Sequence, residues 1–332
     1  MVQVKKEHLH PDLQGLYGPL SVMAALMKKE WFRKFSTWAG DKALLGKDID
    51  GLDCEQRYID SSDGQWQIRT RIYRPQNVTG KLPAMIYIHG GGYIIGSPET
   101  AHAIIERFVA TRPCVVIAPD YRKAGTAPFP AGFNDCYETL LWAKHNADEL
   151  GIRDTGFIVA GHSAGGGLTA AVTLKARDTR EVDLAFQMPI YPMIDDTQPS
   201  DQERAMRTPV WDTELNEIGW NAYLADLHAN GEEIPAYAAP ARNTDYTNFP
   251  PTISFVGDKE PFYAEDVAYV DALRAAGVDV AFKEFPGCFH AFDMMAKGIG
   301  DVAKDFTYEK YGEFYDRYCA RLDEVDETVQ LA

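Results

Sequence analysis

Gly161-His162-Ser163-Ala164-Gly165 is a G-x-S-x-G pentapeptide between an apolar run at 157–160 and a helical stretch from 164. A serine at the apex of such a strand-to-helix turn presents its hydroxyl for attack on an acyl carbon. Glycines two residues to either side leave room for the turn. The helix N-terminus beneath it supplies positive potential where negative charge develops. A second run, His89-Gly90-Gly91-Gly92-Tyr93, follows the apolar stretch 84–88. Acyl transfer builds an oxyanion that needs preorganised N–H donors, and consecutive glycines let a backbone present them. The run does not read as a phosphate loop, because neither G-x-x-x-x-G-K-[ST] nor a spaced G-x-G-x-x-G is present.

A nucleophilic serine needs a base and an acid, and on a strand–turn–helix elbow they follow in the order serine, acid, histidine. Of eight histidines, two lie beyond Ser163, namely His228 and His290. His228 falls in an irregular stretch away from the strands. His290 sits in Pro286-Gly287-Cys288-Phe289-His290-Ala291-Phe292, directly after the last strand, where a base belongs. His162 cannot turn back onto its own neighbour and is expected to pack beside the loop, and His89 is expected to orient the glycine run. The acid should follow the strand at 252–256, where Asp258 and Glu260 both qualify chemically. Either carboxylate can hold the imidazole tautomer and stabilise the imidazolium.

The elements that must position these groups alternate along the chain. Short apolar runs at 84–88, 114–118, 157–160, 185–191, 252–256 and 280–285 read as strands, with a further strand at 67–73. Helical patterns at 101–111, 133–149, 164–177, 263–273 and 301–322 fall between or after them. This βαβα rhythm predicts an α/β architecture, a mostly parallel sheet with helices on both faces. Two regions stand outside it. Apolar spacing over 11–38 predicts one or two amphipathic helices, so 1–50 is read as an N-terminal cap. Residues 196–249 are too long for a plain connection and are read as a helical cap insertion. The catalytic domain is then 51–195 with 250–332. Trp31, Phe32, Phe35, Trp211 and Trp220 of the two cap pieces suggest an apolar entrance.

Composition bounds the remainder. The 332 residues are 45% apolar and 25% charged, the profile of a globular protein with a large core. A net charge of −16 argues against nucleic acid and anionic membranes as partners. Five cysteines without a C-x-x-C pair suggest neither a disulfide framework nor a zinc site. No signal-peptide core and no run of about 18 apolar residues appears, so a cytoplasmic protein is expected.

HGGGY, GHSAGG and PGCFHAF in this order resemble the hormone-sensitive-lipase-like esterases of the α/β-hydrolase fold. So do Asp120-Tyr121-Arg122, Pro128-Phe129-Pro130-Ala131 and Tyr191-Pro192, and the likeness spans roughly residues 60–315. The resemblance implies a helical cap, no metal or other cofactor, a small-molecule ester as substrate and dimers through the last strand. It implies that Gly91, Gly92 and Ala164 donate to the oxyanion. The family's acid lies in a D-P-[LF] tripeptide, matched here by Glu260-Pro261-Phe262, which favours Glu260 over Asp258. Glutamate for aspartate, GHSAG for the commoner GDSAG, and Asp120-Tyr121-Arg122-Lys123-Ala124-Gly125-Thr126 for DYRLAPE are departures. The expected activity is hydrolysis of short to medium acyl esters through an acyl-enzyme. An amidase, lactonase or peptidase on the same fold, or a non-catalytic ligand receptor, are the alternatives.

Overall fold

The structure, a computed structural model, describes residues 1–319. The end of the helix expected over 301–322, and of the catalytic domain expected to reach 332, lies outside the described residues. Eight strands form the main sheet: β1 (Leu52–Asp60), β2 (Gln67–Pro75), β3 (Ala84–Ile88), β4 (Val115–Pro119), β5 (Phe157–His162), β6 (Leu184–Ile190), β7 (Thr252–Gly257) and β8 (Val280–Phe285). Their spatial order is β8-β7-β6-β5-β3-β4-β2-β1. Every pairing is parallel except those of β2, which runs antiparallel to β1 and β4.

The main helices are α1 (Tyr17–Met27), α2 (Glu30–Leu44), α3 (His102–Thr111), α4 (Ala131–His145), α5 (Ala164–Thr179), α6 (Thr213–Tyr223), α7 (Tyr263–Ala275) and α8 (Ile299–Phe314). Side-chain alternation sorts the strand residues between two layers. Met85, Tyr87 and Val116 pack with Phe108 of α3 and Tyr311 of α8. Ile86, Ile88 and Ile117 face the other way, onto Phe133 of α4 and Leu168 of α5. Every residue of β3, β4 and β5 is buried, which is why these strands read as unbroken apolar runs. Each fully buried aliphatic side chain among them contributes about 1.5–3 kcal/mol.

β1 carries no such signal in the sequence. It is an edge strand on which Ile59 alone is buried, and its charged residues Asp53, Glu55, Arg57 and Asp60 keep the open edge from pairing. The N-terminal helices break at Lys28–Lys29, and α2 extends six residues beyond the expected limit at 38. Residues 196–249 hold α6 and a shorter helix, Ala225–Asn230. Asp212 caps α6 by accepting from the Leu215 N–H (3.1 Å), and it also receives Lys28 Nζ (2.7 Å), which joins the end of α1 to α6. A two-residue parallel ladder, Val2–Gln3 with Met206–Arg207, ties the N-terminus to the same segment.

Candidate active site

β5 ends at His162 and α5 begins at Ala164, leaving Ser163 alone in the turn with φ 59° and ψ −124°. A non-glycine residue there costs of order 1–3 kcal/mol and persists only where its surroundings fix it. Those surroundings are specific. Ser163 N–H donates to the Ile190 carbonyl (3.0 Å), while Ser163 O accepts from Gly167 N–H (2.9 Å) and Met193 N–H (3.1 Å). Gly165 is required by close packing, since a Cβ on it would lie 2.1 Å from the Ile88 carbonyl oxygen. Ala164 is the first residue of α5, so its N–H has no carbonyl one turn back within the helix.

The loop after β3 lies against this turn. A Cβ on Gly90 would sit 2.8 Å from His162 O and 3.4 Å from Ser163 Cβ. Gly91 and Gly92 have φ of 122° and 59°. Among the described residues, none accepts a backbone hydrogen bond from either N–H. Two neighbouring histidines support the backbone here. Burial holds His89 down at about 3, and its Nδ1–H donates to the Gly90 carbonyl (2.7 Å) while its ring stacks on Tyr121 at 4.3 Å. Burial likewise lowers His162 to about 3, and its Nδ1 is hydrogen-bonded with the Tyr87 hydroxyl (2.9 Å). Neither ring bonds to Ser163.

The loops after β7 and β8 bring the remaining groups to the same end of the sheet. His290 Nε2 lies 2.8 Å from Ser163 Oγ. Its Nδ1 makes a short hydrogen bond to Glu260 Oε2. Glu260 is fully buried, and its second oxygen accepts from Gly257 N–H (3.1 Å). A carboxylate at Nδ1 keeps the proton on that nitrogen and leaves Nε2 free to accept from serine. Asp258 does other work. Its Oδ1 accepts from Gly287 N–H (2.6 Å) and its Oδ2 from Lys259 (2.9 Å), which ties the β7 loop to the β8 loop. Of the two acids that qualify chemically, Glu260, which the resemblance favours, is the one bonded to His290.

A family model described as alpha/beta hydrolase fold matches residues 85–294. The chain belongs to the α/β-hydrolase family. Within it, this α/β-hydrolase falls among the hormone-sensitive-lipase-like proteins. It is 33% identical over 244 residues to the carboxylesterase NlhH of Mycobacterium tuberculosis, covering 73% of this chain and 76% of that protein. A bacterial heroin esterase superposes with a TM-score of 0.82 at 30% identity, over 93% of this chain and 99% of that one. Brefeldin A esterase, a bacterial homologue of human hormone-sensitive lipase, gives 0.73 at 26% identity, over 91% and 87%.

Ser163, His290 and the glycine loop of this α/β-hydrolase line a cavity of about 420 Å³. Its other walls are mostly apolar, with Met23 and Met27 from α1, Trp211 and Leu215 beside and on α6, and Met294 and Met295 after the histidine loop. Among the described residues, no lysine, arginine, aspartate or glutamate lines it. Of the aromatics expected at the entrance, Trp211 alone takes part, its ring against Gly92. Trp220 packs instead on Tyr93, at 5.5 Å between ring centroids, while Trp31 and Phe35 point into solvent. Cys288, near His290 in sequence, is buried, and burial pushes its thiol up to about 12, which leaves it an unreactive packing group.

Sequence reasoning missed a layer behind the histidine. Tyr191 sets its ring edge against His290 (4.9 Å, 74°) and donates its hydroxyl to Asp293 Oδ1 (3.0 Å). Phe262 packs on His290 in the same T-shaped way, at 4.9 Å. Burial raises Asp293 to about 6. Its position three residues after His290 was the one available signal.

Proposed function

We propose that the chain hydrolyses small, uncharged carboxylic esters in two acyl-transfer steps. Ser163 is the nucleophile. His290 accepts its proton through Nε2 as the serine oxygen attacks the ester carbonyl. Glu260 holds the imidazole in the required tautomer and stabilises the imidazolium. The N–H groups of Gly91, Gly92 and Ala164 receive the oxyanion. His290 then passes the proton to the leaving alcohol, and the same nitrogen activates water to release the acid. No metal or cofactor enters any step.

The observation that carries this reading is the hydrogen-bonded line from Ser163 through His290 to Glu260 on the wall of an uncharged, apolar cavity. The carboxylesterase and esterases to which the chain is similar support it independently. α1, α2 and residues 196–249 act in this reading as a cap that shapes the acyl and alcohol pockets. The test is kcat/KM on p-nitrophenyl esters from acetate to dodecanoate. Rates should peak at short to medium chains and vanish in Ser163→Ala. Rates still rising at dodecanoate would refute the chain-length reading, and a fully active Ser163→Ala would refute the mechanism.

A further inference from the structure

The whole-chain charge, from which no membrane partner is expected, averages over one segment of opposite sign. Residues 28–47 hold six basic side chains against two acidic ones, in a chain of net charge −16; Lys28 pairs with Asp212 and Glu214 and Lys34 with Glu30, which leaves Lys29, Arg33, Lys42 and Lys47 as the excess. The segment contains α2, a helix of fifteen residues with none buried. Trp31, Phe35 and Trp38 fall at i, i+4 and i+7 and are 64%, 54% and 58% exposed. They form a continuous row. Phe32 bridges Trp31 at 5.6 Å and Phe35 at 6.5 Å, and Phe35 and Trp38 are 5.9 Å apart between ring centroids. Helical geometry sets the exposed Lys34 and Lys42 within about 70° of the row's centre. Lys42 Nζ lies 5.3 Å from the centroid of the Trp38 ring.

We propose that this face of α2 docks on the surface of an anionic lipid bilayer. Large aromatic rings interleaved with lysines, on a helix whose opposite side meets the protein, have the amphipathic pattern that settles into a headgroup layer. The acid surface elsewhere does not prevent this, because screening confines repulsion to about 8 Å at physiological salt.

The placement relative to the cavity gives docking a consequence. Ser36, on the inner side of α2, lines the catalytic cavity. Met23, Met294 and Met295 also line it while remaining 48%, 51% and 40% exposed. A docked α2 holds one wall of the cavity at the lipid surface, where apolar esters partition. That consequence rests on the ester-hydrolase reading, whereas docking itself does not.

The test is co-sedimentation of the full chain with vesicles of phosphatidylcholine alone or mixed with phosphatidylglycerol. Binding is expected on the anionic vesicles and should weaken with added salt. Trp31→Ser/Phe35→Ser/Trp38→Ser and Lys34→Glu/Lys42→Glu should each lower partitioning on the order of tenfold or more. Both variants should keep kcat/KM on dissolved p-nitrophenyl acetate, which separates docking from catalysis and from misfolding. No binding to anionic vesicles, or equal binding by the aromatic variant, overturns the proposal. So does a wild-type dimer by light scattering that the aromatic substitutions dissolve without any vesicle binding, since the occupant is then a second copy.

Discussion

Replacing Glu260 by glutamine keeps the side chain's length and shape while removing its charge, and the site's geometry sets the cost. Glu260 is fully buried and His290 only 4% exposed, so no solvent substitutes for the lost carboxylate. Gly257 N–H donates to Oε1, which fixes the amide oxygen at that position in the variant. The amide nitrogen then faces His290 Nδ1 and donates to it. That reverses the tautomer: Nε2 carries the proton and can no longer accept one from Ser163 Oγ at 2.8 Å. Loss of the acid's orienting role in a serine triad costs about 10⁴ in kcat, which at about 1.4 kcal/mol per decade is about 5 kcal/mol of transition-state stabilisation. The assay is kcat/KM on p-nitrophenyl butyrate, with Tm measured alongside to show that the fold is kept. Asp258→Asn is the paired control. It weakens the loop bond from Gly287 and the contact with Lys259, so about 1 kcal/mol of stability and little activity should go. Activity within tenfold of wild type in Glu260→Gln would mean that Glu260 does not set the His290 tautomer. So would an equal collapse in Asp258→Asn.

Three other outcomes follow from the geometry. Asp293 is held at about 6 by burial, above its unfolded value of 3.8, so the stability it contributes is complete below pH 3.8 and lost as pH rises through 6. Asp293→Asn, which still accepts from Tyr191, should be more stable than wild type at pH 8 by up to about 3 kcal/mol, with the gap closing near pH 4; parallel denaturant curves at both pH values would disprove this. In Gly92→Ala the new Cβ would lie 2.1 Å from Trp211 Cη2 at a φ of 59°, so kcat/KM should fall by about 10²–10³ as an oxyanion donor shifts. Retained activity would remove Gly92 from the oxyanion site. Ser163→Gly relieves a positive φ that Ser163→Ala does not, so it should unfold about 1 kcal/mol harder than the alanine variant, although both are inactive. Equal midpoints in urea would mean the turn stores no strain.

Legibility followed burial and locality. The strands at 84–88 and 280–285 match expectation residue for residue, the second although it is a sheet edge with Phe285 alone buried, and the strands buried on both faces were readable as apolar runs. The elbow and the glycine loop were readable because a tight turn admits few residue types, so its chemistry is written in adjacent letters. β1 was not, because charged residues alternate along it at Asp53, Glu55 and Arg57 and Ile59 alone is buried. The entrance aromatics misled because aromatic content says nothing of the direction a ring faces. Trp211 meets Gly92, Trp220 packs on Tyr93, and Trp31 faces water.

The sequence alone determined the nucleophile's turn, the order of serine, acid and histidine, and the α/β rhythm that delivers all three to one end of a parallel sheet. Residue chemistry alone did not separate two carboxylates two residues apart; the likeness to D-P-[LF] favours Glu260, and the tertiary structure bonds that one to His290. Asp258 and Glu260 are chemically alike and share one loop. A pairing with His290, thirty residues further on, depends on how the loops after β7 and β8 fold over each other. It likewise decided that Tyr191 and Asp293 back the histidine, and that one helix face of the N-terminal segment stays open to solvent. Local pattern encodes local geometry, whereas which of two equivalent side chains meets a distant partner is set by packing that no short stretch of sequence contains.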